Sequence, residues 1–295
     1  MNRKSGLLSL LLAGLLYGSF GVWIRFLNTE IPMFRQVLFR SVIALIVALV
    51  FLYFRTKFHF NLSQIPKSRL LLFSPCVPFA FIFYNLSVLN TKISVAIFSF
   101  YIGSLLFSYL ISRVVFKEKV TKDKILALVF VFIGFIFITY PISLITLNLG
   151  FVAGFISGVF DAISNSFRKS FYQKVDKFFI VSLTMVSVLL VCGILIPLFG
   201  EKSVSFSSIS LFSMLILLFF GFILVFVNYL LLKGFGNFDL GLGTIDLASE
   251  IFFSIIFGLL LLGEKPTLNE FIGGVFIMIA VVIPNIKSAK LRIGY

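Results

Sequence analysis

The chain consists of long apolar runs separated by short polar connectors. A helix needs about 20 apolar residues to cross the hydrocarbon core of a bilayer, and ten runs in this sequence approach that length. They predict an all-α integral membrane protein with ten transmembrane helices. The connectors between the runs are too short to form a soluble domain. The predicted spans are 6–27, 32–53, 69–90, 93–116, 123–140, 148–168, 178–199, 209–232, 239–262 and 269–286.

One segment of this pattern occurs twice, with its charges changed between the copies. The first copy reads FKEKVTKDKILALVF at 116–130, and the second reads LGEKPTLNEFIGGVF at 262–276. The shared Glu-Lys pair begins at Glu118 and at Glu264, which gives a spacing of 264 − 118 = 146 residues. We expect both glutamates to serve as turn and cap residues. The spacing indicates that the chain is a duplicated unit.

The charge change orients the two units. Connectors on the cytoplasmic side of a membrane keep Lys and Arg, and connectors on the far side lose them. The first copy carries three lysines that the second lacks. Five spans per unit is an odd number, so the second unit must enter the membrane in the opposite orientation. We therefore predict two inverted five-helix repeats, 1–147 and 148–295, an arrangement found in many secondary transporters.

The Lys and Arg residues of all the connectors together predict the side of the membrane on which each connector lies. The inner side is predicted to hold Arg3, Lys4, Arg55, Lys57, Lys67, Arg69, Lys117, Lys119, Lys122, Lys124, Arg168, Lys169, Lys174, Lys177, Lys233, Lys287, Lys290 and Arg292. The outer side is predicted to hold Arg25, Arg35, Lys92, Lys202 and Lys265. This asymmetry places both termini in the cytoplasm. The expected location is a bacterial or archaeal cell membrane.

Composition supports lipid as the solvent of this chain. Hydrophobic residues make up 60% of it and charged residues 12%, whereas a soluble domain has about 25% charged residues. The mean hydropathy is +1.14. The net charge of +14 does not predict a nucleic-acid partner, because the basic residues lie in connectors that face lipid headgroups.

Few residues have the chemistry of a cofactor or metal site. Cys76 and Cys192 lie within apolar runs, and the single histidine, His59, lies in a polar connector. These residues do not form a disulfide framework or a set with metal-ligand spacing. The P-loop pattern GxxxxGK[ST] is absent from the sequence. We therefore predict no cofactor and no bound metal.

Small residues and prolines modify several predicted helices. Gly14 and Gly18 lie four apart on span 1, and Gly154 and Gly158 lie four apart on span 6, where Gly150 extends the pattern. Such faces let helix backbones approach closely, and they serve either packing alone or sliding between helices during transport. In span 3, Pro75 and Pro78 predict a bend or an interruption of the helix.

Four ionisable residues stand out because they lie in the middle of predicted spans: Arg40 in span 2, Asp161 in span 6, and Asp246 and Glu250 in span 9. Such a group costs about 2.5–3.5 kcal/mol at the bilayer centre on insertion scales, and it tends to face the bundle interior. Asp246 and Glu250 are four apart, so a continuous helix places them on one face. Two interpretations are open. The four residues bind substrate or couple transport to protons, or the acidic residues form a structural ion pair, for example with Arg40.

Several polar residues add further points inside the apolar runs. Asn165 lies four residues after Asp161, Asn85 follows Tyr84 in span 3, and Tyr101 lies in span 4. Asn228 in span 8 has the same character. Each is a candidate to bind an amino or carboxyl group of a substrate, and each is equally a candidate to bridge two helices.

Several segments together resemble the EamA-type family of drug/metabolite transporters. The start LLAGLLYGSFGVWIRFL resembles the family's opening motif, and Arg40, between Phe39 and Ser41, resembles its span-2 arginine. Glu118 and Glu264 match its "lgE" motif, and Glu250 matches the Glu of "LEPv". The resemblance covers essentially the whole chain.

Two positions depart from the family pattern. Ile251 stands where the family's proline follows the Glu, so that signal for a helix discontinuity is missing, and Asp161 stands where a small or apolar residue is usual. The resemblance implies transport of amino acids, nucleotide-related metabolites or other small organic compounds, without a shared cofactor.

We therefore expect a secondary carrier that moves a small organic metabolite by alternating access, as export or exchange. The expected partners are this solute and membrane lipids, and the protein is a monomer or a dimer. The candidate substrate or coupling residues are Arg40, Asn85, Tyr101, Asp161, Asn165, Asp246 and Glu250. No catalytic residue is predicted. The alternatives are an intramembrane lipid-modifying enzyme and a channel.

Overall fold

The protein is built from helices joined by short connections. The computed structural model describes residues 3–57, 67–140, 148–172, 174–205 and 208–290. His59 and the predicted repeat boundary at 141–147 lie outside these ranges. Within them the chain forms α1 (Arg3–Gly18), α2 (Phe20–Asn28), α3 (Met33–Thr56), α4 (Lys67–Asn90), α5 (Ile93–Val114), α6 (Lys122–Thr139), α7 (Leu149–Phe171), α8 (Lys177–Leu198), α9 (Leu211–Asn237), α10 (Leu240–Leu247), α11 (Ser249–Leu262) and α12 (Leu268–Lys290).

Nine helical segments in the described part of the chain are long and apolar enough to cross a membrane. One of them joins α1 and α2 as Arg3–Asn28, and another joins α10 and α11 as Leu240–Leu262. The one predicted span that is not among these nine is the fifth, 123–140, which forms the helix α6. Its first turn carries Lys122 and Lys124, which leaves a shorter apolar stretch. Nine of the ten predicted spans are thus confirmed, and the protein is a multi-pass membrane protein.

Two of the spans contain a one-residue interruption. Ser19 separates α1 from α2, and Ala248 separates α10 from α11. After Ala248 the N–H of Ile251 donates to the Ala248 carbonyl at 3.0 Å, and this i→i−3 bond tightens the turn. The interruption therefore forms without a proline. In contrast, α4 continues through Pro75 and Pro78, so the interruption considered for span 3 does not occur.

The two halves of the chain pack into each other. Helix α1 of the first half crosses α11 of the second, and α7 of the second half crosses α5 of the first. A Cβ atom on Gly14 would lie 3.2 Å from the backbone nitrogen of Glu250, and one on Gly158 would lie 2.6 Å from that of Ser104. Since 250 − 104 = 146, both crossings use equivalent residues of the two repeats. The glycines allow these close helix contacts.

The duplicated segment adopts the same turn in both halves. The backbone N–H of Glu118 and that of Glu264 each donate to the carbonyl six residues earlier, at 3.0 Å and 3.1 Å. The preceding residue is left-handed in each copy, with φ of 52° at Lys117 and 65° at Gly263. Glycine adopts this conformation without steric cost, whereas a lysine in it has a steric cost from its Cβ atom. The turn geometry is therefore retained although the residue and its charge differ.

Candidate functional site

A small cavity lies between the two halves of the chain. Helices from both halves form its wall, and its volume is about 40 Å³. The apolar part of the wall includes Phe20, Phe100 and Leu224. Its larger polar and charged residues are Tyr17, Arg40, Tyr84, Asn85, Asp161 and Glu250. The cavity is thus the place where the ionisable residues of the spans converge.

Four of the seven predicted residues line this cavity: Arg40, Asn85, Asp161 and Glu250. Two more contact one of these four, because Tyr101 lies against Glu250 and Asn165 donates to Asp161. The seventh, Asp246, is buried beside α12, where its carboxylate accepts a 2.8 Å hydrogen bond from Asn285. The interruption at Ala248 separates Asp246 from Glu250, so the predicted common face does not form.

Glu250 lies two residues after that interruption and contacts two tyrosines. Its Oε2 is 2.7 Å from the hydroxyl of Tyr101, and its Oε1 is 3.5 Å from that of Tyr84. The Tyr101 hydroxyl also lies 2.8 Å from the carbonyl oxygen of Leu247. A phenolic hydroxyl has one hydrogen, and a carbonyl can only accept. Both Tyr101 contacts are therefore hydrogen bonds only when Glu250 is protonated.

Asp161 belongs to a buried polar network on α7. Its Oδ2 accepts hydrogen bonds from Ser104 at 3.1 Å and from Asn165 at 2.8 Å, and its Oδ1 is 3.8 Å from a guanidinium nitrogen of Arg168. Arg168 also donates to Asn165 and, at 2.9 Å, to Asn228. Asp161 therefore has a cationic partner of its own. Asn165 links Asp161 to Arg168 within α7, and Asn228 connects α7 to α9.

The position of Arg168 corrects the sequence analysis, which assigned it to an inner connector. Its side chain is 2% exposed and lies within α7, because that helix continues past the predicted end of the span. The available signal was the spacing of Asp161, Asn165 and Arg168. Residues three, four and seven apart share one face of a helix, so these three form a polar stripe that faces the bundle interior.

Arg40 presents the opposite case, a buried cation that has no carboxylate partner within the described part of the chain. It is 3% exposed, and among the described residues its Nε and Nη1 have no hydrogen-bond partner. Its guanidinium carbon lies 4.5 Å from the ring centroid of Phe220 and 5.9 Å from that of Phe81. A cation–π contact stabilises a protein by about 0.5–2 kcal/mol, whereas the desolvation of a buried ion costs on the order of several kcal/mol. The rings thus offset only part of the cost.

An ion pair forms at each copy of the duplicated turn. Lys169 donates to Glu118 at 2.7 Å and also to the carbonyl of Phe238, while the N–H of Leu240 donates to Glu118 at 3.1 Å. We call this group the Glu118 latch. It joins the ends of α5 and α7 to the connection between α9 and α10. Glu118 is therefore more than a turn residue, because it holds three elements together.

The second copy forms the equivalent group. Arg25 donates to Glu264 at 2.6 Å and to the carbonyl of Thr91 at 2.8 Å, and we call this group the Glu264 latch. The two bases are 169 − 25 = 144 residues apart, close to the spacing of 146 between the two glutamates. The Glu118 side chain is 9% exposed and that of Glu264 is 42% exposed. A pocket of about 220 Å³ adjoins the Glu264 latch.

The two latches lie at opposite ends of the first span. Gly6 packs against Asn237 and Phe238, beside the Glu118 latch, whereas Arg25 belongs to the Glu264 latch. These two residues are 25 − 6 = 19 positions apart, which corresponds to about 28 Å along a helix. The cavity residue Tyr17 lies between them. Along this span, an ion pair therefore lies on either side of the central cavity.

Multiple membrane-length helices surround the polar cavity, and comparison with known proteins gives the family of this membrane protein. The family model described as the EamA-like transporter family matches residues 4–140 and 148–286. These two matches cover nearly the whole chain. The protein therefore belongs to the EamA-like transporter family, within the drug/metabolite transporter superfamily, and the family match detects both repeats.

The fold is also similar to that of solved structures. One crystal structure matches with a TM-score of 0.78, over 98% of this chain and 99% of that chain, at 16% sequence identity. At this identity the similarity concerns the fold alone. No curated protein sequence matches the chain.

Proposed function

We propose that the protein is a secondary carrier that exports or exchanges a small organic metabolite, such as an amino-acid-like solute, by alternating access. The observation that carries this proposal is the pair of latches, one at each end of the central cavity. Each consists of a base at the end of one span, a glutamate after another and a backbone carbonyl between helices. Equivalent closures at both ends suit a carrier that opens one end at a time.

The energetics of the latches fit this role. An exposed ion pair contributes about 0–1 kcal/mol, so the half-exposed Glu264 latch is easily opened. The Glu118 latch is more buried and has the additional bond from Leu240. In the proposed inverted insertion, these two ends face opposite sides of the membrane, with both termini in the cytoplasm.

The size of the cavity requires movement of the halves. A pocket that encloses a drug-sized ligand measures about 300–1,000 Å³, whereas the cavity measures about 40 Å³. Entry of a solute then needs the halves to separate at one end. The rocking would occur about the glycine-lined crossings at Gly14 and Gly158.

Glu250 is the proposed coupling residue. Protonation would free the Tyr101 hydrogen for the Leu247 carbonyl, and ionisation would attract that hydrogen to Glu250. The two states therefore differ in the contacts at the interruption of the ninth span. Such a difference is what a coupling proton needs in order to favour one conformation over another.

Counterflow in liposomes tests the carrier. Purified protein is reconstituted without ATP, the vesicles are loaded with one unlabelled solute at a time, and labelled solute is added outside. We expect the label to accumulate transiently above its outside concentration, because a carrier exchanges solutes. Simple equilibration indicates a channel. Flux equal to that of empty liposomes with a chemically altered lipid, measured by mass spectrometry, indicates the lipid-modifying enzyme.

A second experiment tests the latches separately. In a background without Cys76 and Cys192, paired cysteines replace Arg25 and Glu264, or Lys169 and Glu118, and a reducible bismaleimide joins each pair. Cross-linking of either pair should stop counterflow, and reduction should restore it. The four single-cysteine variants, treated identically, are the matched controls. Full counterflow with both ends cross-linked would contradict alternating access.

A further inference from the structure

We propose that Arg40 is the anion-binding group of the central cavity and that the transported solute carries a monoanionic carboxylate. This inference rests on the proposed carrier function and specifies the chemical class of its substrate. Arg40 lines the cavity together with Glu250 and Asp161, but neither carboxylate forms an ion pair with it among the described residues.

The hydrogen bonding of the cavity identifies the missing partner. Nε and Nη1 of Arg40 are buried donors without an acceptor in the described part of the chain. Buried donors in proteins are nearly always paired, and a guanidinium presents its donors in a fork that fits a carboxylate with two parallel bonds. Because Nε and Nη1 lie on different edges of the guanidinium, a bound carboxylate would pair with one of these two donors.

The acidic side chains are already engaged elsewhere. Asp161 is balanced by Arg168, Asn165 and Ser104, and Glu250 contacts Tyr101. Arg40 is therefore the cation of the cavity wall that remains available for a ligand. The aromatic rings of Phe220 and Phe81 flank the guanidinium, and its Nε and Nη1 have no acceptor among the described residues.

Charge and shape narrow the class of anion. Arg40 is the one cationic side chain that lines the cavity among the described residues, so it balances a monoanion but leaves one charge of a dianion, such as a phosphate monoester, uncompensated. Asn85 is fully buried, and its Oδ1 has no donor among the described residues. This acceptor suits a hydrogen-bond donor on the same solute. A small carboxylate with an amino group nearby satisfies both positions.

Matched acid and amide pairs test the inference. Thermal unfolding of the purified protein in detergent is measured against acetate and acetamide, 4-methylpentanoate and 4-methylpentanamide, and L-leucine and L-leucinamide, with phenyl phosphate as the dianion. We expect at least one acid to stabilise the protein with an affinity at least tenfold higher than its amide. Failure of every acid to do so, or stronger binding of phenyl phosphate, overturns the inference.

Variants at Arg40 link this preference to its guanidinium. Arg40→Gln should remove the acid-over-amide ratio, and Arg40→Lys should reduce it because the charge remains while the fork is lost. Arg35→Gln makes the same change five residues earlier on α3, outside the cavity, and should leave the ratio unchanged. An unchanged ratio in Arg40→Lys, or in a folded Arg40→Gln, sinks the inference.

Failure of the anion-site inference can be distinguished from failure of the carrier proposal. Counterflow of a solute without any preference for acids would retain the carrier and discard the anion site. Acid binding in detergent that depends on Arg40, without counterflow in liposomes, would retain the site and discard the carrier.

Discussion

The hydroxyl of Tyr101 shows how a single hydrogen can connect chemistry to backbone structure. It lies within 2.8 Å of both the Leu247 carbonyl and the Glu250 carboxyl, and it can donate to only one of them. The protonation state of Glu250 therefore selects the partner. The two possible partners lie on either side of the interruption at Ala248, because Leu247 ends α10 and Glu250 belongs to α11.

Glu250→Gln tests this arrangement. The amide keeps the shape of the side chain and removes its ability to ionise, so we expect normal folding with a loss of at least tenfold in flux, or a flux that no longer depends on pH. Glu270→Gln is the matched control, because Glu270 caps the start of α12 by accepting from Thr267. Counterflow across a pH series supplies the measurement. A wild-type rate with an unchanged pH profile would leave Glu250 a structural residue and make Asp161 the better candidate.

At the scale of the helices, the crossings of α1 with α11 and of α7 with α5 depend on positions without a side chain. A Cβ atom on Gly158 would overlap the carbonyl oxygen of Phe100 and the backbone nitrogen of Ser104. These are backbone atoms, which cannot rotate away as a flexible side chain does. The helices would have to separate, and the wall of the cavity would move with them.

Gly158→Ala should therefore destabilise the protein, although alanine has the higher helix propensity. Overpacking of this kind costs about 1–3 kcal/mol. Gly193→Ala is the control on α8, where a Cβ meets no atom within 4 Å, and it should leave stability equal or slightly higher. Thermal unfolding in detergent compares the two. Equal melting temperatures would show that the crossing is not tightly packed.

Sequence reasoning located the elements better than their contacts. Apolar run length predicted ten spans, of which nine are confirmed. Of the four charged residues within the runs, Arg40, Asp161 and Glu250 line the cavity, whereas Asp246 does not. The interruption at Ala248 carries no glycine or proline signal; the Tyr101 hydroxyl that lies 2.8 Å from the Leu247 carbonyl belongs to a residue 146 positions away in the chain. Arg168 was misplaced because its charge suggested a connector, although it pairs with Asp161 on α7 and donates to Asn228 on α9. Ion pairs between distant residues, such as Arg25 and Glu264, were not predictable from local patterns.

At the scale of the whole molecule, the two repeats form one structure that has the Glu118 latch near one end of the first span and the Glu264 latch near the other. The matched latches and the matched glycine crossings relate the halves to each other, and the lysines of the first turn are absent from the second. The positive-inside rule then predicts opposite exposure of the two turns. This relation is the basis of the proposed inverted insertion.

Labelling of single cysteines tests that insertion. In a background without Cys76 and Cys192, which are both buried, cysteine replaces either Lys119 or Lys265. We expect an impermeant maleimide to label position 265 in intact cells and position 119 only after permeabilisation. Expression level and labelling after permeabilisation serve as controls for both variants. Strong labelling at 119 in intact cells, with none at 265, would reverse the proposed orientation.

The interlocked packing also sets an order for biosynthesis. Arg40 is covered by Phe220, and Gly14 meets the backbone of Glu250, so residues made early wait for partners made much later. The separation of 250 − 14 = 236 positions corresponds to on the order of ten to fifty seconds of translation. During that interval the buried guanidinium of the first half has none of its second-half neighbours. The nascent chain must therefore be shielded by the insertion machinery or by lipid headgroups until the ninth span arrives.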